Sequence, residues 1–355
     1  MRLYFLLVVS SSLSMMMLSS MAEAVECNLP NKISGNVRLE SRCVYNASIV
    51  ISDSDTVLDC SGATLDGGDL LKTAILINGR GKKINNVTIR NCRLVNFVGR
   101  VINVTSGIPK WSLSKDIEKN YSVSPEKIVI DNVSVTGGRG GVYFDSYVTD
   151  SVLRNSVVRG ADKVGIYLEQ GSKGISILDN KIIKNGVSGR REGVAIDSSA
   201  NNLIKGNIFD GNGAGGVFLY KNCGENFKSG KSVLRWQPSD HNRIVDNVFR
   251  SQPVGVWVAS RQSRDLSKWG CGDPALDGRS RFYEDFANNN HVESNQFCDV
   301  RIPIRVEGDN NYVARNKFGK MVSGAIQEPF RDRAKPDGRV TTGNIYEANS
   351  SAACP

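Results

Sequence analysis

Histidine is nearly absent from this sequence. Of its 355 residues only His241 and His291 carry an imidazole, and no Cys-x-x-Cys pair occurs. Zinc-finger and zinc-ribbon spacings are therefore excluded. No Ser/His/Asp order, Gly-rich phosphate loop or nucleic-acid motif stands out either, so no nucleic-acid partner is expected. Hairpin turn signals are mostly missing between the β-like phrases, which argues against a sandwich or a bladed fold. After residue 24 no run of about 20 apolar residues follows, and no membrane insertion is expected.

What is present begins with a processing signal. Arg2 precedes an apolar run from Leu3 to Val9, then a Ser/Met/Leu-rich stretch ends at Ala22-Glu23-Ala24, a small-x-small cleavage pattern. The expectation is a signal peptide over 1–24, one domain over 25–355, and a secreted or periplasmic monomer. All eight cysteines follow residue 24, an even number in a compartment where disulfides persist. Cys27 with Cys43 and Cys223 with Cys271 are the expected pairs among them. The formal net charge is +9, which removal of Arg2 and Glu23 leaves unchanged. A basic exported chain favours an anionic partner.

Two short phrases alternate along the chain. The first centres on asparagine: IVIDNVSV (128–135), VLRNSVV (152–158), SILDNKII (176–183), LIKGNIF (203–209), RIVDNVF (243–249), HVESNQF (291–297) and YVARNKF (312–318). Aligned on Asn132, Asn155, Asn180 and Asn207, the period is in the twenties, as in a coiled solenoid. The second phrase reads GVYFDS (141–146), GIYLEQ (165–170), GVAIDS (193–198), GVFLYK (216–221), GVWVAS (255–260) and PIRVEG (303–308). Its second and fourth positions are always apolar. Because strand side chains alternate, these point inward, and positions three and five are expected to face solvent.

The pattern resembles the right-handed parallel β-helix superfamily over nearly the whole mature chain. The resemblance implies an all-β solenoid with inserted loops, and asparagine ladders inside its turns. Position three then carries Tyr143, Tyr167, Phe218, Trp257 and Arg305, an outward line suited to sugar rings. Position five carries Asp145, Glu169, Asp197 and Tyr220. Three carboxylates stacked about 4.8 Å apart repel, so neighbouring bases, a shared proton or a metal such as Ca²⁺ must offset them.

Insertions at 106–126, 186–192, 222–242 and 261–290 carry Arg190, Arg191, Arg235, His241 and Arg261, with Arg243 directly after the third, a basic surround suited to an acidic polysaccharide. In the phrase GGVFLYKNCGE (215–225) Lys221 replaces the small polar residues that end the other copies. An amine there can act as a base, with Glu225 as its alternative ion-pair partner.

Lys221 followed one rung later by Arg261 is similar to the β-helix polysaccharide lyases, alginate lyases among them. That resemblance implies β-elimination on a uronate polymer, alginate first among them, with Lys221 as base and Arg261 as acid. The residues nearby supply Arg235, Arg243 or Arg261 for the carboxylate or the leaving group and Tyr220 or Tyr167 as proton donors, with His241 and Glu225 as further substrate contacts. Hydrolysis or C5-epimerisation through the Asp145/Glu169/Asp197 column, and non-catalytic binding, remain alternatives.

Overall fold

The computed structural model describes residues 27–30, 32–319 and 324–354. The signal peptide expected at 1–24 lies outside them. A typical turn of the coil contributes three short strands, as in Glu126–Asp131, Ser134–Thr136 and Gly140–Phe144, and in two turns the second and third run on as one, Val248–Val258 and Gln296–Val306. The first of each trio builds an 11-stranded sheet, and the other two build a 19-stranded one. Rungs stack in parallel and in the register the apolar spacing predicts. Val142, Ile166, Val194, Val217, Val256 and Ile304 are paired in sequence up the coil. All six side chains are buried, so burying one inward column also fixes the register of every other.

Aromatic residues ending the asparagine phrases stack inside in the same way. The Phe209, Phe249, Phe297 and Phe318 rings follow one another at centroid distances of 4.7, 4.8 and 5.5 Å. Four disulfides close the chain: Cys27–Cys43 and Cys223–Cys271 as expected, together with Cys60–Cys92 and Cys298–Cys354.

The asparagine ladder departs from the expected alignment by one residue. Asn180, Asn207, Asn247, Asn295 and Asn316 are buried, and each backbone N–H donates to the side-chain oxygen of the asparagine one rung on. Asn132 and Asn155 instead point outward, with φ of 51° and 52°. The inner slot of their rungs is filled by the next residues, Val133 and Ser156. Further along, the left-handed slot passes to Asp179, Gly206, Asp246, Ser294 and Arg315. Asparagine tolerates left-handed backbone and also makes an inward amide ladder, so two adjacent slots look alike in the sequence. A second ladder runs through Asn202, Asn242, Asn290 and Asn311.

Asn207 shows what a ladder position contributes. Its amide donates to the carbonyl oxygens of Ile177 and Lys205, while its oxygen accepts from the Asn180 N–H at 2.9 Å. Asn207→Ala strands all three in a dry interior. The expected cost is about 3 kcal/mol against under about 1 kcal/mol for the exposed Asn132→Ala, read from the shift in denaturant midpoint.

Candidate functional site

The third strands of three successive rungs, Arg100–Thr105, Gly140–Phe144 and Ile166–Leu168, line a groove of about 530 Å³. Its floor is Tyr143 and Tyr167, which register pairing places on adjacent rungs and which stack with centroids 4.8 Å apart. The stack faces loops rather than open solvent. Past Tyr167 the expected aromatic line is covered. Phe218 and Tyr220 are each 1% exposed and pack with Val164, Ala195 and Val254, with Trp257 half-buried beside them. Positions three and five thus do not form a solvent-facing track. The insertions that leave the strand ends fold back over them, and apolar rings stay under that cover.

Those insertions also resolve the charge problem of position five. Glu169 is 1% exposed and accepts from Arg235 Nη1 at 2.7 Å, from Lys110 Nζ and from the Tyr143 hydroxyl. Arg235 reaches on to Asp197 at 3.5 Å. The Asp197 carboxylate also accepts from the Tyr167 hydroxyl at 2.5 Å and from the Asn222 N–H at 3.2 Å. Asp145 stands apart, half-buried, accepting from the Ser146 N–H.

Of the three offsets expected, the column uses neighbouring bases. Its oxygens do not suit Ca²⁺, because the two buried carboxylates already face a guanidinium, an ammonium and two phenols. No group of three or more His, Cys, Asp or Glu set to hold a metal occurs among the described residues.

These contacts decide the protonation states. Burial pushes the Glu169 carboxyl up, but the Arg235 and Lys110 charges outweigh it and hold it well below the ordinary 4.5. Burial and the adjacent carboxylates push the Tyr143 and Tyr167 phenols far up, so both keep their protons. Burial likewise raises Tyr220.

The remaining expected residues divide clearly. Glu225 lines the groove beside Asn222, whose side-chain oxygen accepts the Glu225 N–H at 3.0 Å. Lys221 does not line it. Its amine pairs with Asp273 at 2.5 Å, where Glu225 had been the expected partner, and its backbone N–H donates to Asp285. The next residue but one is tied by the Cys223–Cys271 disulfide, so this lysine joins two inserted loops.

Arg261 is 4% exposed and lies over the Tyr220 ring at 3.8 Å, away from the groove lining. Arg305 pairs with Glu307 at 2.5 Å. Exposed His241 precedes, and exposed Arg243 opens, a strand of the 11-stranded sheet; neither joins the groove.

Sequence reasoning missed Lys110, Arg100, Arg139, Lys163 and Glu192. Lys110 arrives on the loop that also holds the helix Ile117–Val123, capped by Asp116, and no local pattern marks its target. Arg139, Lys163 and Arg191 did carry a signal. Each stands three residues before the first inward residue of three successive rungs, Val142, Ile166 and Val194. Together they make a basic column along one wall of the groove. Arg191 is engaged by Glu192 at 3.1 Å, whereas Arg139 and Lys163 are exposed and form no ion pair with a described carboxylate.

A three-strand parallel coil, with inner amide ladders and a loop-roofed groove on one face, is a right-handed parallel β-helix carrying a lateral cleft. The chain belongs to the right-handed beta helix region family, whose model matches residues 73–267. No curated protein matches it. Among solved structures, the A-module of a mannuronan C-5 epimerase from Azotobacter vinelandii is 12% identical, with 91% of this chain and 90% of that one covered and a TM-score of 0.47. An alginate lyase from Paenibacillus is 12% identical, covering 91% and 94%, with a TM-score of 0.42. A tailspike protein of Escherichia coli bacteriophage HK620 is 10% identical, covering 89% of this chain and 59% of that one, with a TM-score of 0.53. The tailspike likeness is one of fold.

Two substitutions probe the roof. Arg235→Met leaves Glu169 buried with a single cation, at an expected cost of about 3 kcal/mol at neutral pH. The ionised Glu169 stabilises the parent above 4.5 and loses that contribution as the pH falls. The cost should therefore shrink in acid, measured by denaturant midpoints across pH. Asp285 accepts the N–H groups of Lys221 and Arg261 through its two oxygens, at 2.6 and 2.7 Å. In Asp285→Asn an NH₂ must oppose one of these donors, and a loss of about 2 kcal/mol is expected by the same measurement.

Proposed function

We propose that the protein is an exported enzyme that binds an anionic polysaccharide in the Tyr143–Tyr167 groove and cleaves it by β-elimination beside a uronate carboxylate. The observation that carries this reading is the unequal charge of the groove. The carboxylates beneath the tyrosines are fully paired, while Arg139 and Lys163 on the wall are free of carboxylate partners. A polymer bearing carboxylates supplies what that wall lacks. Four disulfides agree with an exported protein.

Elimination needs a cation for the carboxylate, a base for the proton beside it, and an acid for the departing oxygen. In this reading Arg139 faces the carboxylate and Lys163 takes the proton, the role first expected of Lys221. The electron pair forms the new double bond, and Tyr167 protonates the leaving oxygen. A phenol with its proton held this firmly yields it only to a strong base such as a departing alkoxide. Hydrolysis with Glu169 as the acid is disfavoured. That carboxyl is held ionised, whereas a glycosidase acid must be protonated. One observation favours a non-catalytic binding protein as the second reading: every buried carboxylate beside the tyrosines is locked in an ion pair.

The test is incubation of the mature protein with a panel of uronate polymers, following the ultraviolet absorbance of unsaturated chain ends. Turnover should fall at least about 100-fold in Lys163→Ala and Tyr167→Phe and stay near the parent value in Lys221→Ala. New reducing ends without that absorbance mean hydrolysis, and an altered epimer ratio without cleavage means epimerisation. Retention on the polymer with no product at all establishes the binding protein.

A further inference from the structure

Beyond Tyr167 the same face of the coil carries further cations that the proposed reaction does not use, starting from Arg191 at the end of the groove wall. Arg191, Arg261, Arg264 and Arg305 surround Tyr220 and Trp257, with only Glu192 and Glu307 as side-chain carboxylates in ion pairs there. Arg191 takes Glu192, and Arg305 takes Glu307. Glu307 also accepts the N–H and O–H of Ser263. Asp285, the remaining acid beside Arg261, gives its oxygens to two backbone N–H groups. Among the described residues Arg261 and Arg264 are left without an ion pair, and Glu192, engaged by Arg191, acts on both only from farther off.

Arg261 is the more telling of the two. It is 4% exposed, and its Nε and Nη1 are buried without any hydrogen-bond acceptor. Orphaned buried donors are costly and rare, and a charged one more so. The fork is nevertheless held firmly, between the Tyr220 ring at 3.8 Å and the Trp269 ring at 5.2 Å. Arg264 is half-buried over Trp257 at 5.1 Å. Burial, and then the charge of Arg261, lower its affinity for its proton, and Glu192 offsets them only in part. Aromatic faces hold both planar forks in fixed orientation, the arrangement that suits bidentate capture of an oxyanion.

We propose that Arg261 and Arg264 form a second anion subsite, which takes a carboxylate or sulfate-ester oxygen of an acidic sugar lying farther along the polymer bound at Tyr143 and Tyr167. The proposal rests on the polysaccharide reading of the groove. It adds a requirement for charge on more than one sugar, and hence a preference for long, regularly charged chains over short ones. Trp257 and Trp269, each stacked on one of these guanidinium groups, report on the subsite directly.

The first experiment titrates inorganic sulfate into the full chain and follows tryptophan fluorescence. A saturable change is expected that disappears in Arg264→Gln, returns in Arg264→Lys and persists in Arg139→Ala on the groove wall. No change in the parent protein, or the same change in Arg264→Gln, overturns the subsite. The second measures calorimetric affinity for uronate oligomers of increasing length, for a sulfated polymer, and for a carboxyl-reduced neutral chain. Arg264→Gln should weaken long charged oligomers by about tenfold and leave a disaccharide unaffected. Equal loss at every length, or none, overturns the proposal. Whichever charged polymer loses more affinity identifies the oxyanion. A sulfate response without affinity for any acidic polymer removes the polysaccharide reading and leaves the oxyanion site standing.

Discussion

Parallel pairing between successive rungs places each residue about one strand spacing above its counterpart, so any side chain repeated in the sequence becomes a column in space. The columns that face inward are apolar or amide, and both kinds gain from stacking. Valine and isoleucine pack, phenylalanine rings overlap, and each asparagine accepts from the rung before it. A column of carboxylates gains nothing of the kind. Glu169 and Asp197 persist in theirs only because Arg235 and Lys110 arrive from loops more than one rung away. The groove is thus a place where the coil's own geometry creates a charge problem that its insertions answer.

The inserted loops answer it with side chains that travel far in sequence. Arg235 is 66 residues from Glu169, Asp273 is 52 from Lys221, and Lys110 is 59 from Glu169. Each of these pairs is largely buried, which makes the loops part of the folded body. The disulfide between Cys223 and Cys271, the Lys221–Asp273 pair and the Asp285 carboxylate join the last two loops at three points. A rigid roof of this kind leaves a preformed cleft, and binding there need not order the loops first.

The sequence made the scaffold legible because the strand period is two and the coil period is regular. Val142, Ile166, Val194 and Val217 could be stacked on paper and are stacked in the structure. Asparagine was the exception, since one residue type serves two adjacent backbone slots. The site was legible in part. Tyr143, Tyr167, Glu169, Asp197 and Arg235 were found by their columns or their loop, and the structure brings them together. Lys221 drew attention because it breaks the repeat, yet a break in a repeat also marks the point where a loop is anchored. Nothing near Lys221 in the chain indicates Asp273. Exposure was misjudged at Phe218 and Tyr220 for the same reason: alternation tells which side of a strand a residue is on, and says nothing about what covers that side.

The asparagine ladders are also directional. From Asn180 to Asn316 every backbone N–H points up the coil to the next side-chain oxygen, and every side-chain amide does the same. The two ends of the coil are therefore not equivalent. Taking away a rung at the C-terminal end orphans a donor below it, while taking one away at the N-terminal end frees only an acceptor, which buried proteins tolerate more readily. Chemical asymmetry of this kind gives a solenoid built from near-identical units a polarity, like that of a filament with unlike ends, and it makes the N-terminal side of the ladder the end from which disassembly is resisted least.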